Sequence, residues 1–424
     1  MPAGFGRLWT AQTVSSLGDG ITHAALPLIA LTLTRDPMAL AVVTAAGTLP
    51  WLLFGVLGGA LVDRWDRRRT MWGADAARAV LFAVPAAAAA LDVLSVPLLA
   101  AVAFLLGLGG LFFDTAATAY LPDLLRRDPA LLERANSRLR TAQTAMSGFA
   151  GPPAGSALLT LGRAVPLLAD AISFLISALL VRTLPAMPRP VPEVREPLLR
   201  QARAGASYVL RDRLLLGLAL RPAVGNIAFL AMETVLALFA HDRLGIDTFG
   251  FGLFLTAEAI GGLLGAGIAS VLGRRLGTGT ALTCTAATEG LAILGLAAAA
   301  NPYVAGLALA VCGAAMGATM VLGPSLRQAI VPAHLMGRVA STSRMLAMCA
   351  APFGAFLGGW LATTYDIRTP LYAAAVLLLV MTVVTASMTS NRRVEAALRA
   401  AAPAGGPDHP VSKGPAKESA PDAL

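Results

Sequence analysis

Asp19 and His23 stand four residues apart inside an apolar run that extends from Leu8 to about Thr34. At that spacing a carboxylate and an imidazole share one helix face and can pass a proton between them. The Gly18-Asp19 step can equally serve helix packing. Other ionisable groups are also set in apolar surroundings. They are Asp75 and Arg78, three apart; Asp114, beside Phe112 and Phe113; Asp170; Glu233, with Asn226 seven residues before it; Glu258; and Glu289. A charge at bilayer depth costs roughly 2.5–3.5 kcal/mol on insertion scales, so such groups face a bundle interior and are functional candidates. Asp75 and Arg78 can pair with each other, as a structural element or as part of an inner gate. Metal and nucleotide chemistry are not indicated. His23, His241, His334 and His409 have no metal-ligand spacing. No G-x-x-x-x-G-K-[ST] run is present, so neither a cofactor nor ATP-driven work nor an enzyme is expected.

The elements that must hold these groups follow from composition. Of 424 residues, 56% are hydrophobic and 13% charged. A soluble chain would be about a quarter charged, so the class is an integral membrane protein. The net charge is +9, and all basic residues are Arg except Lys413 and Lys417. Their placement speaks for membrane topology and against a nucleic-acid partner. Cys284, Cys312 and Cys349 fall inside apolar spans without a spacing motif, as buried small residues do. The first apolar run is too long for a cleavable signal and reads as a retained span.

Windows of about 20 apolar residues fall at 8–34, 38–62, 71–91, 95–120, 141–162, 164–182, 214–240, 248–272, 278–299, 302–325, 339–364 and 370–390, numbered here as spans one to twelve. With both termini in the cytoplasm, 27 basic residues lie inside and four outside, namely Arg35, Arg163, Arg243 and Arg368. The chain therefore divides into a six-span bundle at 1–182, a cytoplasmic linker at 183–213, a second six-span bundle at 214–390 and a disordered tail at 391–424. The prolines of "LPAMPRPVPEVREP" forbid a helix, whereas "LLRQARAGASYVLRDRLLL" can lie as an amphipathic helix on the membrane surface. The halves echo each other. Arg138 precedes Pro152 by fourteen residues, and Arg338 precedes Pro352 by fourteen. That repeat supports a duplicated transporter architecture.

The turn after span two reads "GGALVDRWDRRRT". Its Gly59, Leu61, Asp63, Arg64, Arg67 and Arg68 resemble the signature loop of the major facilitator superfamily, with Asp66 where the general pattern has Gly. That variant resembles the branch of macrolide and enterobactin exporters among the drug:proton antiporters. "SSLGD", "LPDLL…ANS", "DAISF" and "RQAIVPAHLMGRVAS" extend the likeness over most of the chain. In the turn itself, glycines let helices approach closely. Asp63 can pair with Arg67 or Arg68, or meet a helix N-terminus. The resemblance implies a gate that ties the halves together while the cavity opens outward. Arg69 reads as topology alone. The second-half counterpart, "GIASVLGRRLG", has Val271 in the aspartate's place, so the latch is one-sided. In span five, Gly151, Pro152 and Gly155 of "GFAGPPAGSA" resemble the G-P-x-x-G signature of proton-exchanging exporters, with Pro153 and Ser156 as departures. A kinked, thin helix there lets a neighbouring half pack and rock. Span four lacks the Arg that many drug antiporters carry.

The resemblance implies twelve helices in two six-helix bundles related by a pseudo-two-fold, a midplane cavity, and export of a small amphipathic molecule in exchange for protons. The protein is expected in the plasma membrane as a monomer among lipids. Asp19, His23, Glu258 and Asp114 are the proton-coupling candidates. Asn226, Glu233, Phe112 and Phe113 are the substrate candidates, and a carboxylate among them would attract a cation. Gly59, Asp63, Arg64, Arg67, Arg68, Asp75, Arg78, Gly151, Pro152 and Gly155 are the gating set. Asp170 and Glu289 are expected to support packing. Two other readings stand beside this one: an importer or uniporter of the same fold, and a transport-inactive receptor or scaffold.

Overall fold

A computed structural model describes residues 1–62, 65–187 and 206–401. Its described residues are helical, without strands. The spans are one (Ala3–Leu33), two (Pro37–Val62), three (Arg67–Ala90), four (Val96–Leu124), six (Ala164–Arg182), seven (Arg213–Leu244), eight (Thr248–Leu276), nine (Thr278–Ala298), ten (Pro302–Ile330), eleven (Ala333–Thr364) and twelve (Thr369–Ala386). Among the described residues, these 11 positions carry helices long and apolar enough to cross a bilayer. Span five makes the twelfth. It consists of Pro129–Gln143, a π-helical turn Thr144–Ala150, and Gly151–Leu161. The prolines at 152 and 153 remove two backbone donors just after that turn, so the break lies where the helix can least hold its ladder.

Side-chain caps fix several starts. Asp66 accepts from Arg69 N, Asp212 from Leu214 N, Asp247 from Gly250 N and Asn301 from Val304 N. Each such cap contributes about 1 kcal/mol. The stretch from 391, expected as the start of a disordered tail, is a helix over Asn391–Ala401. Val394 is buried from it into the second half's core, which gives the segment a reason to fold. Asp63, Arg64 and most of the expected amphipathic linker lie outside the described residues. Gly59 falls in the last turns of span two.

The two halves repeat one packing scheme. A Cβ on Gly151 or Gly155 of span five would collide with the backbone of Gly20 or Ile21 in span one. A Cβ on Gly354 or Gly358 of span eleven would likewise collide with Ile227 or Ala231 of span seven. The absence of side chains lets these helices touch backbone to backbone, the way small residues drive membrane helix association.

The halves meet unequally along their length. At the end that bears most arginines, one buried cluster is built around Leu8, Met71 and Tyr120, and a separate one around Leu215, Leu282 and Leu326. Neither crosses between halves. At the far end the clusters mix: Ala24 and Leu28 pack with spans seven to twelve, and Leu238 packs with Ile29 and Phe174. Arg35 also pairs with Asp242 there at 3.1 Å, and Gly359 of span eleven sits against Ala41 and Pro37 of span two. The crevice between the halves is therefore closed at the far end and open at the arginine-rich end.

Candidate functional site

The closed end of the crevice carries an ion pair between the halves. His23 Nε2 of span one lies 3.1 Å from Glu233 Oε1 of span seven. The imidazole is 47% exposed to the crevice and the carboxylate 14%. Glu233 Oε2 is buried without a hydrogen-bond partner. Glu258 of span eight is an electrostatic neighbour of both. His23, Glu233 and Glu258 each stand ten or eleven residues from the far end of their helices, about 15 Å by the helical rise. They thus lie at one depth, just under the seal.

One turn from His23 towards the open end, Asp19 is exposed on the same face of span one. Asp114 of span four, also exposed, is its electrostatic neighbour. Among the described residues neither carboxylate has a hydrogen bond or an ion pair. Arg78 is the foremost cationic neighbour of both Asp19 and Asp114, and Arg344 and Arg140 are further cationic neighbours of Asp114. Arg344 also lies over the Trp51 ring at 5.2 Å, across the seam between spans eleven and two. The crevice therefore presents four carboxylates, from spans one, four, seven and eight, with one imidazole among them.

Phe112 and Phe113, expected on the cavity, are placed elsewhere. Phe113 is 5% exposed and faces the interior of the first half under the Arg78 guanidinium, 5.2 Å from it. Phe112 packs on Trp65 with ring centroids 5.6 Å apart. Successive helix residues diverge by about 100°, so Asp114 on the crevice face excludes its neighbour Phe113 from it. Asn226 donates to Ala347 O at 2.8 Å and holds span seven to span eleven.

Asp75 and Arg78 do pair, at 2.5 Å, inside the first half. Two further partners were not foreseen: Ser177 donates to Asp75, and Arg78 lies 4.0 Å over Phe174. Asp170 accepts from Thr22 and Ser173, joining spans six and one. Asp75 is fully buried, so Arg78→Ala strands a carboxylate without its counter-charge. The expected loss is about 3–5 kcal/mol, read as a fall in melting temperature in detergent. Pairing it with Asp75→Asn recovers part of that loss.

At the arginine-rich end, Arg67 pairs with Asp123 of span four and donates to Ala119 O. Arg68 donates to Leu184 O at 2.8 Å. Arg127 lies 3.5 Å from Asp123. Asp123 is the partner that sequence reasoning missed. Its signal was an acidic residue in "LPDLL", at the helix end that faces the basic turn. On span five, the G-P-x-x-G face works in two directions. Gly151 and Gly155 bear on span one, while Pro152 O and Ser156 Oγ lie 2.6 Å from where a Cβ on Gly252 of span eight would stand. This motif thus links the two halves.

A family described as transmembrane secretion effectors, within the MFS group, matches residues 3–413. The chain is 29% identical to the multidrug efflux pump Tap of Mycolicibacterium fortuitum, over 91% of this chain and 96% of that protein. It is 22% identical to macrolide efflux protein A of Streptococcus pyogenes, over 92% and 97%. In structure it resembles a bacterial homologue of the iron transporter ferroportin in an inward-facing state, with a TM-score of 0.75 at 17% identity, covering 92% of this chain and all of that one.

Proposed function

Because the chain belongs to the transmembrane secretion effector family of the major facilitator superfamily, we propose that it exports a cationic amphipathic molecule across the plasma membrane in exchange for protons. The observation that carries this reading is the His23–Glu233 pair, which closes the crevice between the halves among three further carboxylates. The arginine-rich end faces the cytoplasm by the positive-inside rule, with both termini on that side. The crevice is then open inward, ready to take substrate from the cell or the inner leaflet.

The exchange follows from competition for the same carboxylates. A substrate cation entering the crevice is drawn to Asp19, Asp114, Glu258 and Glu233. Its bond to Glu233 replaces His23 and releases the tie at the far end. Once the far end opens, a proton from outside occupies the carboxylate and the cation leaves. With the substrate gone the far end closes again, and loss of that proton to the cytoplasm restores the His23–Glu233 pair that locks it. Proton and substrate drive the cycle only through their differential affinity for the two states. Gly151, Pro152 and Gly155 supply the backbone contacts over which the halves rock.

The test is a proteoliposome assay with ethidium, tetraphenylphosphonium and a macrolide as probes, each followed with a pH dye. Probe movement accompanied by proton movement in the opposite direction is expected. Asp19→Asn, Glu233→Gln and Glu258→Gln combined should abolish that coupling, and intact coupling in the triple variant would overturn the assignment. Asp63→Asn is expected to slow transport while equilibrium probe binding is retained, because it acts on closing the inner end and not on the crevice. Loss of binding in that variant would contradict a gating role.

A further inference from the structure

Glu289 of span nine and Arg221 of span seven form a second charged site, within the second half and apart from the crevice. Glu289 lies on the inward stripe of its helix, between the buried Thr285 and Ile293. The next residue, Gly290, sits against Leu379 of span twelve. Among the described residues the Glu289 carboxylate has no hydrogen bond and no ion pair. Arg221, a buried residue, donates Nη2 to Leu282 O of span nine, while its Nη1 is buried without a partner. The two are electrostatic neighbours. Cys312 of span ten, 1% exposed, is an electrostatic neighbour of both Glu289 and Glu258, and Glu258 is itself an electrostatic neighbour of Glu289. Gly313, next to it, abuts the backbone of Glu258. Span ten is therefore thin where it separates Glu289 from the crevice. Span twelve brings only one ionisable group, Tyr372, which is exposed near the far end.

Glu289 is half-buried, and a static structural ion pair beside the buried Arg221 would be closed, since the carboxylate would take the unpartnered Nη1. This one is open. The arrangement has two satisfied forms. With Glu289 protonated, the carboxyl is neutral and Arg221 rests on Leu282 O. With Glu289 ionised, the carboxylate takes the free Nη1 and draws span seven against span nine. Span seven also carries Asn226 and Glu233, so the exchange between these forms is felt in the crevice.

We propose that Glu289 is a second proton-binding site, read by Arg221 and communicated along span seven to the His23–Glu233 pair. This rests on the proton-exchange reading above. One proton adds to a Glu289 oxygen and leaves Arg221 charged, so the pair changes from net neutral to net positive.

Infrared difference spectra between acid and alkaline pH, on purified wild type in lipid, read the carboxyl protonation directly and need no substrate. Glu289→Gln should remove one titrating carboxyl band, and Glu289→Asp should retain it. In proteoliposomes, Glu289→Gln should lower the proton-to-ethidium ratio by one while ethidium counterflow, which needs no net proton movement, persists. An unchanged band pattern or an unchanged ratio would overturn the proposal. So would loss of counterflow in both the Gln and Asp variants, which would make Glu289 purely structural. A wild type that moves ethidium with no proton would instead defeat the exchange reading, and this inference with it.

Discussion

Glu233→Gln is expected to fold and insert normally yet lose proton-driven uphill export by about 100-fold, equivalent to about 2.7 kcal/mol. The amide keeps the size and a hydrogen bond to His23 but can no longer alternate between proton and cation. Downhill movement of a probe should survive better than uphill movement, since only the coupling is removed. His23→Gln keeps Glu233 ionisable and should lose less, about tenfold. The cross-half tie should also show in structure. Spin labels at the exposed positions 161 and 303, on the two halves at the far end, should report a larger share of separated halves in Glu233→Gln than in wild type. An unchanged distance distribution with full uphill export would remove this pair from the mechanism.

Gly155→Leu is expected to have an effect of similar size through packing alone. A Cβ at 155 meets the Ile21 backbone, with its Cα and carbonyl carbon each at 2.9 Å, and a backbone cannot give way as a flexible side chain can. Span five must move off span one, which shifts Pro152 and Ser156 away from Gly252 on the other half. Gly155→Ala should cost about 1–3 kcal/mol as an overpacked site, visible as a lower melting temperature with partial transport. Gly155→Leu should abolish transport for every probe alike. Selective loss of one probe would point to a substrate contact at this position instead of a mechanical one.

The spans were legible because bilayer thickness sets a length that an apolar run either meets or misses. The Asp75–Arg78 pair was legible for a similar reason, since three residues on one helix fix the geometry locally. The His23–Glu233 pair was not. Its members lie in different halves, and nothing in the order of residues says which faces of spans one and seven will meet. Sequence reasoning placed both in the membrane but gave His23 to Asp19, its neighbour along the helix. Phe113 was misplaced because it was grouped with Asp114 by adjacency, although adjacent helix positions point apart. The helix from Asn391 was missed because its apolar stripe is short, and it takes its stability from Val394 entering a core built elsewhere. Asp123 lies in "LPDLL", yet its partner Arg67 is assigned by the packing of spans three and four.

The most direct measurement is ethidium movement in proteoliposomes with a proton gradient imposed and membrane potential clamped. Uphill accumulation that follows the sign of the gradient, disappears when it is collapsed and is lost in Glu233→Gln is the predicted result. Accumulation indifferent to the gradient, or equal in wild type and Glu233→Gln, would contradict proton exchange through the His23–Glu233 pair.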